Sequence, residues 1–247
     1  MNPRLGNSGA WDAAIIDLDG TLVDTMGDFV VAINRMLLDL DLDLDLDLPA
    51  KPQLARSVVE TMVGKGSEHL IASVLNHLSA LDLMAQPAIN KGAEGVSPYF
   101  DQAFASYQKH YHAVNGQFSQ VYPGVRQGLE GLQQTGLKLA CLTNKPLVFA
   151  RALLKSKGLD GFFGEVFGGD SFQRKKPDPL PVRKTCEALG SQPARTLMIG
   201  ESSNDALAAR AAGCPVILVT YGYNHGEAVR LVDADGFVDS LAALRLY

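Results

Sequence analysis

From Tyr122 onward, short apolar runs alternate with helical patterns, and that alternation leaves few folds open. The runs cover residues 137–142, 165–167, 196–199 and 215–219. Between and after them, residues 125–135, 147–157, 181–189 and 205–212 carry apolar side chains at helical spacing. Strands separated by helices of this length pair in parallel through right-handed crossovers. The pattern therefore predicts an α/β domain of three layers, with a Rossmann-like parallel sheet at its centre. In such sheets ligands bind beyond the carboxyl ends of the strands, so the chemistry is sought there.

The earliest strand end lies in residues 15–25, IIDLDGTLVDT. Alternate side chains of a strand share a face, so the carboxylates of Asp17 and Asp19 repel unless something positive lies between them. Gly20-Thr21 then turns the backbone. An ending of this kind is built to hold a cation, a phosphate, or both. The next strand ends at Thr143-Asn144, a hydroxyl and an amide, followed by Lys145-Pro146. Beyond the third lies the basic turn Arg174-Lys175-Lys176-Pro177-Asp178-Pro179, which opens a helix. The fourth ends at Gly200-Glu201-Ser202-Ser203-Asn204-Asp205, with two carboxylates four residues apart.

Residues 24–118 read differently, as nearly all helix inserted after the first strand. Helical patterns cover 25–38, with Thr25 and Asp28 as an approximate capping box, then 54–78 and 99–114. The second is interrupted by Val63-Gly64-Lys65-Gly66, where two glycines place a lysine on a turn. The tract 39–48, DLDLDLDLDL, alternates like a strand, but aspartate is depleted in strands and its charges would share one face. It is expected to be a solvated extension between helices. It is not an EF-hand loop, because no register supplies both the glycine at the sixth position and the glutamate at the twelfth. His110 and His112, two residues apart, do not face each other on a helix and are expected at the surface.

Taken together, D-x-D-G-T, T-N, K-P-x-P and G-[DE]-x-x-x-D in this order resemble the four motifs of the haloacid dehalogenase (HAD) superfamily. The helical insert resembles its α-helical cap type. VGKG at 63–66 and TYGYN at 220–224 are similar to bacterial phosphoglycolate phosphatases. The resemblance implies an HAD-like core formed by residues 1–23 and 119–247, with an inserted helical cap at 24–118. It also implies a Mg2+-dependent phosphomonoester hydrolase working through an aspartyl-phosphate, with 2-phosphoglycolate cleaved to glycolate and phosphate.

In that reading Asp17 is the nucleophile and Asp19 the acid and base. Asp17, Asp19, Glu201 and Asp205 hold the metal, and Gly20, Thr143, Asn144 and Lys176 bind the phosphate. Positive charge is a physical necessity here, because a phosphate dianion repels an attacking carboxylate. Relatives that act on carbon–halogen bonds usually lack an acid at the position of Asp19, so its presence favours phosphoryl chemistry. Lys65 is expected to meet an anionic group of the substrate. Glu201 departs from the aspartate usual at its position but keeps the charge on one more methylene. A sugar-phosphate phosphatase, a phosphomutase, and a non-catalytic binding protein of the same fold remain as alternatives.

Composition narrows the partners. The formal net charge of −5 is matched by the five aspartates of the 39–48 tract; the rest of the chain is balanced and gives no basic footprint for nucleic acid. No apolar run approaches the ~18–20 residues of a membrane span. Residues 1–12 lack an apolar signal region, so a cytoplasmic protein is expected. Cys141, Cys186 and Cys214 form no C-x-x-C pair and read as buried reduced thiols. None has an arginine six residues on, which excludes a cysteine-phosphatase loop. Gly131 to Gly136 lacks the Lys-Ser/Thr of a P-loop. The expected partner is a small phosphomonoester bound by a monomer or a homodimer.

Overall fold

The computed structural model describes residues 11–44, 53–81 and 97–246. The chain divides into two compact units, Thr25–Ser119 and the combination of Met1–Asp24 with Gln120–Tyr247.

Thr25–Ser119 contains four described helices: α1 (Met26–Leu44), α2 (Arg56–Glu60), α3 (Ser67–Ala80) and α4 (Phe100–Val114). Phe29, Ile33, Met36, Leu37 and Leu40 recur at helical spacing on α1 and are buried. Across from them α4 buries Ala103, Tyr107, Tyr111 and Val114. Phe29 and Tyr107 each stack on Tyr111 with ring centroids 5.4 Å apart. α2 and α3 are separated at 63–66, where Gly64 and Gly66 take positive φ angles of 111° and 94° that other residues rarely adopt.

Two local expectations are corrected in this unit. The Asp-Leu tract does not leave the helix at residue 39, because α1 continues through Leu44; residues 45–48 lie outside the described residues. Leu40 falls one turn after Met36 and Leu37 and is buried with them. Asp39 finds partners on α4, accepting hydrogen bonds from the Ser106 hydroxyl and from His110 Nε2, both at 2.8 Å. His110 is consequently no solvated surface residue, its side chain being 17% exposed. Asp28 accepts the N–H groups of Gly116 and Phe118, at 2.8 and 2.7 Å, so its carboxylate ties the start of α1 to the chain beyond α4.

The other unit holds strands β1 (Ala13–Ile16), β2 (Val23–Asp24), β3 (Gln120–Val121), β4 (Lys138–Leu142), β5 (Glu165–Phe167), β6 (Thr196–Gly200), β7 (Val216–Val219) and β8 (Gly236–Val238). Six of them form one parallel sheet in the order β5-β4-β1-β6-β7-β8, and β2 pairs antiparallel with β3. The central register places Ile16 opposite Cys141 on one side and Ile199 on the other. The helices are α5 (Val125–Gln134), α6 (Leu147–Ser156), α7 (Leu180–Leu189) and α8 (Ser203–Ala212).

One sheet face buries Ile16, Cys141 and Ile199 with Leu129 of α5 and Leu153 of α6. The opposite face buries Ile15, Ala140 and Met198 with Val182 of α7 and Ala209 of α8. Strands covered on both faces must be apolar throughout, which is why they read as unbroken runs in the sequence. From β1 the chain moves outward to β4 and β5, then returns across β1 to β6, β7 and β8. That reversal opens a crevice at the carboxyl ends of β4, β1 and β6, where ligands bind in open α/β sheets. All three cysteines are buried and free. Among the described residues, no helix is long and apolar enough to cross a membrane.

Candidate active site

Asp17 is the first residue beyond β1, and its N–H continues the strand ladder to Ile199 O at 2.9 Å. Its side chain is 10% exposed, with one oxygen 2.7 Å from the Leu18 N–H and 3.0 Å from Lys176 Nζ. Lys176 reaches this point from the turn before α7. Its ammonium donates to Leu142 O at 3.0 Å and to Asp205 at 2.6 Å. Asn144, beyond β4, holds the Lys176 backbone from both sides. Its Nδ2 donates to Lys176 O at 2.8 Å, and its Oδ1 accepts the Lys176 N–H at 3.0 Å. The amide expected at the phosphate is thus engaged in positioning a lysine. Thr143 is buried beside it, its hydroxyl accepting the Lys145 N–H at 3.2 Å.

Asp205 sits at the third position of α8 in a capping box with Ser202. One carboxylate oxygen takes the Lys176 ammonium; the other accepts from Glu201 N, Ser202 N and Ser202 Oγ at 3.1, 3.2 and 3.0 Å. Glu201 follows β6 directly and accepts a short hydrogen bond from the Thr21 hydroxyl. Room for its longer side chain comes from glycine. At Gly20, where φ is +83°, a Cβ would lie 3.1 Å from Glu201 Cγ and Cδ, and 2.9 Å from Tyr223.

The TYGYN segment braces the same loops. Tyr221 donates its hydroxyl to Thr21 O at 2.9 Å. Tyr223 donates a short bond to Asp24, and Asn224 accepts the Ser203 N–H at the start of α8.

The electrostatics of this cluster are unbalanced. Asp17, Glu201 and Asp205 each offer a carboxylate oxygen, and these atoms lie within 4.8 Å of one another. Among the described residues, the ammonium that meets these buried carboxylates is that of Lys176, against Asp17 and Asp205. Burial pushes Asp17 up to about 7; Lys176 lowers it and Asp205 raises it again. Burial likewise raises Glu201, with Asp205 and Asp17 adding to the effect. Burial alone would lower the Lys176 ammonium, but Asp17, Asp205 and Glu201 hold it above the ordinary lysine value. Excess buried negative charge carried entirely by oxygen donors fits a hard divalent cation.

The Asp19 side chain stands apart from these three. Expected among the metal-holding carboxylates, it lies outside this group among the described residues, and both its oxygens face Lys145 Nζ at 2.7 and 2.8 Å. Lys145 follows Thr143-Asn144 directly, yet the sequence pattern alone gives it no role. The other residue assigned to the substrate, Lys65, is exposed on the turn between α2 and α3 in the other unit.

The chain is similar to known proteins over most of its length. The chain is 40% identical over 234 residues to a phosphoglycolate phosphatase of Thiobacillus denitrificans, covering 95% of this chain and 94% of that protein. It is 40% identical over 232 residues to a plasmid phosphoglycolate phosphatase of Cupriavidus necator, covering 94% and 90%. A crystal structure of a predicted phosphoglycolate phosphatase from Haemophilus somnus superposes with a TM-score of 0.81 at 30% identity, covering 94% of this chain and 95% of that one. The family model for haloacid dehalogenase-like hydrolases matches residues 11–213, spanning β1 through α8 and so the loops that carry Asp17, Thr143, Lys176, Glu201 and Asp205. The chain belongs to the haloacid dehalogenase-like hydrolases.

Proposed function

We propose that this protein is a Mg2+-dependent phosphomonoester hydrolase that cleaves 2-phosphoglycolate to glycolate and phosphate. The observation that carries the reading is the buried Asp17 carboxylate, seated against Lys176 and two further carboxylates at the reversal point of the sheet. The names and extent of the relatives support phosphoglycolate as the substrate.

Asp17 attacks phosphorus and the ester oxygen leaves, so the phosphoryl group passes to the carboxylate as an aspartyl-phosphate. Asp19 gives its proton to the departing glycolate oxygen. It then takes a proton from the water that attacks the aspartyl-phosphate, releasing phosphate and regenerating Asp17. Lys176, the Thr143 hydroxyl and the backbone amides after Asp17, Gly20 among them, supply charge and donors to the phosphoryl oxygens. Asn144 and Asp205 keep Lys176 at its station. Asp17, Glu201 and Asp205 would hold the Mg2+, which supplies further positive charge on the phosphate.

A panel of phosphomonoesters assayed with Mg2+ tests the reading. The wild type is expected to release phosphate from 2-phosphoglycolate, and Asp17→Asn is expected to lower kcat by more than ~10³-fold. Unimpaired turnover in that variant overturns the mechanism; formation of a phosphate-shifted isomer in place of free phosphate favours a mutase.

A further inference from the structure

The three clustered carboxylates are held in different ways. Asp17 accepts the Leu18 N–H and meets Lys176. Asp205 also meets Lys176, and accepts two N–H groups and a hydroxyl at the start of α8. The Glu201 carboxylate, among the described residues, accepts its hydrogen bond from the fully buried hydroxyl of Thr21. We propose that Thr21 is the positioning residue for Glu201, and that its hydroxyl fits the site to glutamate where aspartate is usual. This role rests on the reading that the cluster holds Mg2+, and names the group that aims one of its ligands.

Glutamate carries one more rotatable bond than aspartate. A carboxylate on the longer arm reaches more positions, and ordering it on a cation costs conformational entropy. A hydrogen bond already made in the free protein removes that cost from binding, which is how groups behind a metal ligand raise affinity. The nature of the donor matters as much. A neutral hydroxyl orients the carboxylate without cancelling its charge, whereas an ammonium in the same place would supply the positive charge meant to come from the metal. Thr21 takes Oε2 of Glu201, which leaves Oε1 as the ligand atom.

Both ends of this contact are anchored. The turn that bears Thr21 closes on itself: Leu22 N and Val23 N donate to Leu18 O at 2.9 and 3.0 Å, and Gly20 N donates to Val23 O at 2.9 Å. Tyr221 holds the Thr21 carbonyl at 2.9 Å. Across the contact, Asp205 accepts the Glu201 N–H at 3.1 Å. Gly222 makes room, since a Cβ there would lie 2.4 Å from Glu201 Cβ and 2.5 Å from its Cγ. Tyr221 and Gly222 therefore serve the same pair. One braces the threonine, and the other leaves space for the glutamate stem.

The test is the Mg2+ affinity of chelator-treated protein, measured by isothermal titration calorimetry. Thr21→Val keeps the shape of the side chain and removes the donor. It is expected to weaken Mg2+ binding about 10–100-fold in Kd, the usual effect of losing a group that orients a metal ligand. Thr21→Ser keeps the donor and should restore Kd to within about threefold of wild type. Glu201→Asp, which cannot span the same distance to Thr21, should bind Mg2+ at least ~10-fold more weakly. The Trp11 unfolding transition in chelator checks that each variant is folded, and Thr21→Ala removes the same donor should Thr21→Val not fold. Unchanged affinity in the folded variant without the hydroxyl overturns the role. So does a loss in Thr21→Ser as large as in Thr21→Val, which would trace the effect to packing of the methyl. Full affinity in Glu201→Asp overturns the fit to glutamate. Wild type that binds no Mg2+ overturns the role as well; phosphate release from a phosphomonoester by the same preparation decides separately whether the phosphatase reading stands.

Discussion

Asn144 illustrates how a single side chain can fix the position of another. Both ends of its amide are bonded to the backbone of Lys176, from a strand end 32 residues away. Removing it leaves a buried N–H and carbonyl without their partners, at a cost of roughly 1–3 kcal/mol each when unreplaced. Asn144→Ala should therefore destabilise the protein by about 2–6 kcal/mol in chemical denaturation and lower kcat as Lys176 loses its station. A variant with full stability but a raised KM would instead mean direct contact with phosphate. The sequence made Asp17, Lys176 and Glu201 legible because they close or follow strand ends in a recognisable order. The partners of Asn144 and Lys145 were not legible, because each pairing depends on which loops the fold brings together.

Among the elements, α1 depends on long-range pairing in its second half. Aspartates at alternate positions favour neither helix nor strand, and the outcome turns on Asp39 meeting Ser106 and His110 of α4. Burial raises Asp39, but these two partners hold its carboxyl below the ordinary carboxylate range. A folded-state pKa that is depressed contributes stability above the unfolded value, and the contribution is lost as pH falls through the folded one. Asp39→Asn should thus weaken amide-exchange protection of α1 and α4 at pH 7 by about 1–2 kcal/mol, with the difference from wild type shrinking toward pH 3. A pH-independent difference would place the effect in packing rather than in the carboxylate. Apolar periodicity set the other helix positions to within a residue or two. The strands β2, β3 and β8, two or three residues long, leave no periodicity to read and exist only through their neighbours.

At the scale of the whole chain, the α/β class followed from one physical constraint. A parallel sheet needs covered faces and long crossovers, and both leave marks in sequence. What those marks do not carry is the electrostatic debt of the site, where three carboxylates converge on one ammonium. The unit that holds the site also holds Trp11, the only tryptophan of the chain, partly buried against its core. Its fluorescence reports the unfolding of that unit. A divalent cation that binds only the folded cluster adds about 2.7 kcal/mol at a hundred times its Kd, which for a protein of this size is about 5–10 °C in Tm. Chelator-treated protein should gain that much on addition of Mg2+, and Glu201→Ala should gain far less. If the Trp11 transition occurs at the same temperature with chelator and with saturating Mg2+, the cluster does not hold the ion. The excess charge would then have to be met by protonation of Asp17 or Glu201, a state in which Asp17 is a poor nucleophile.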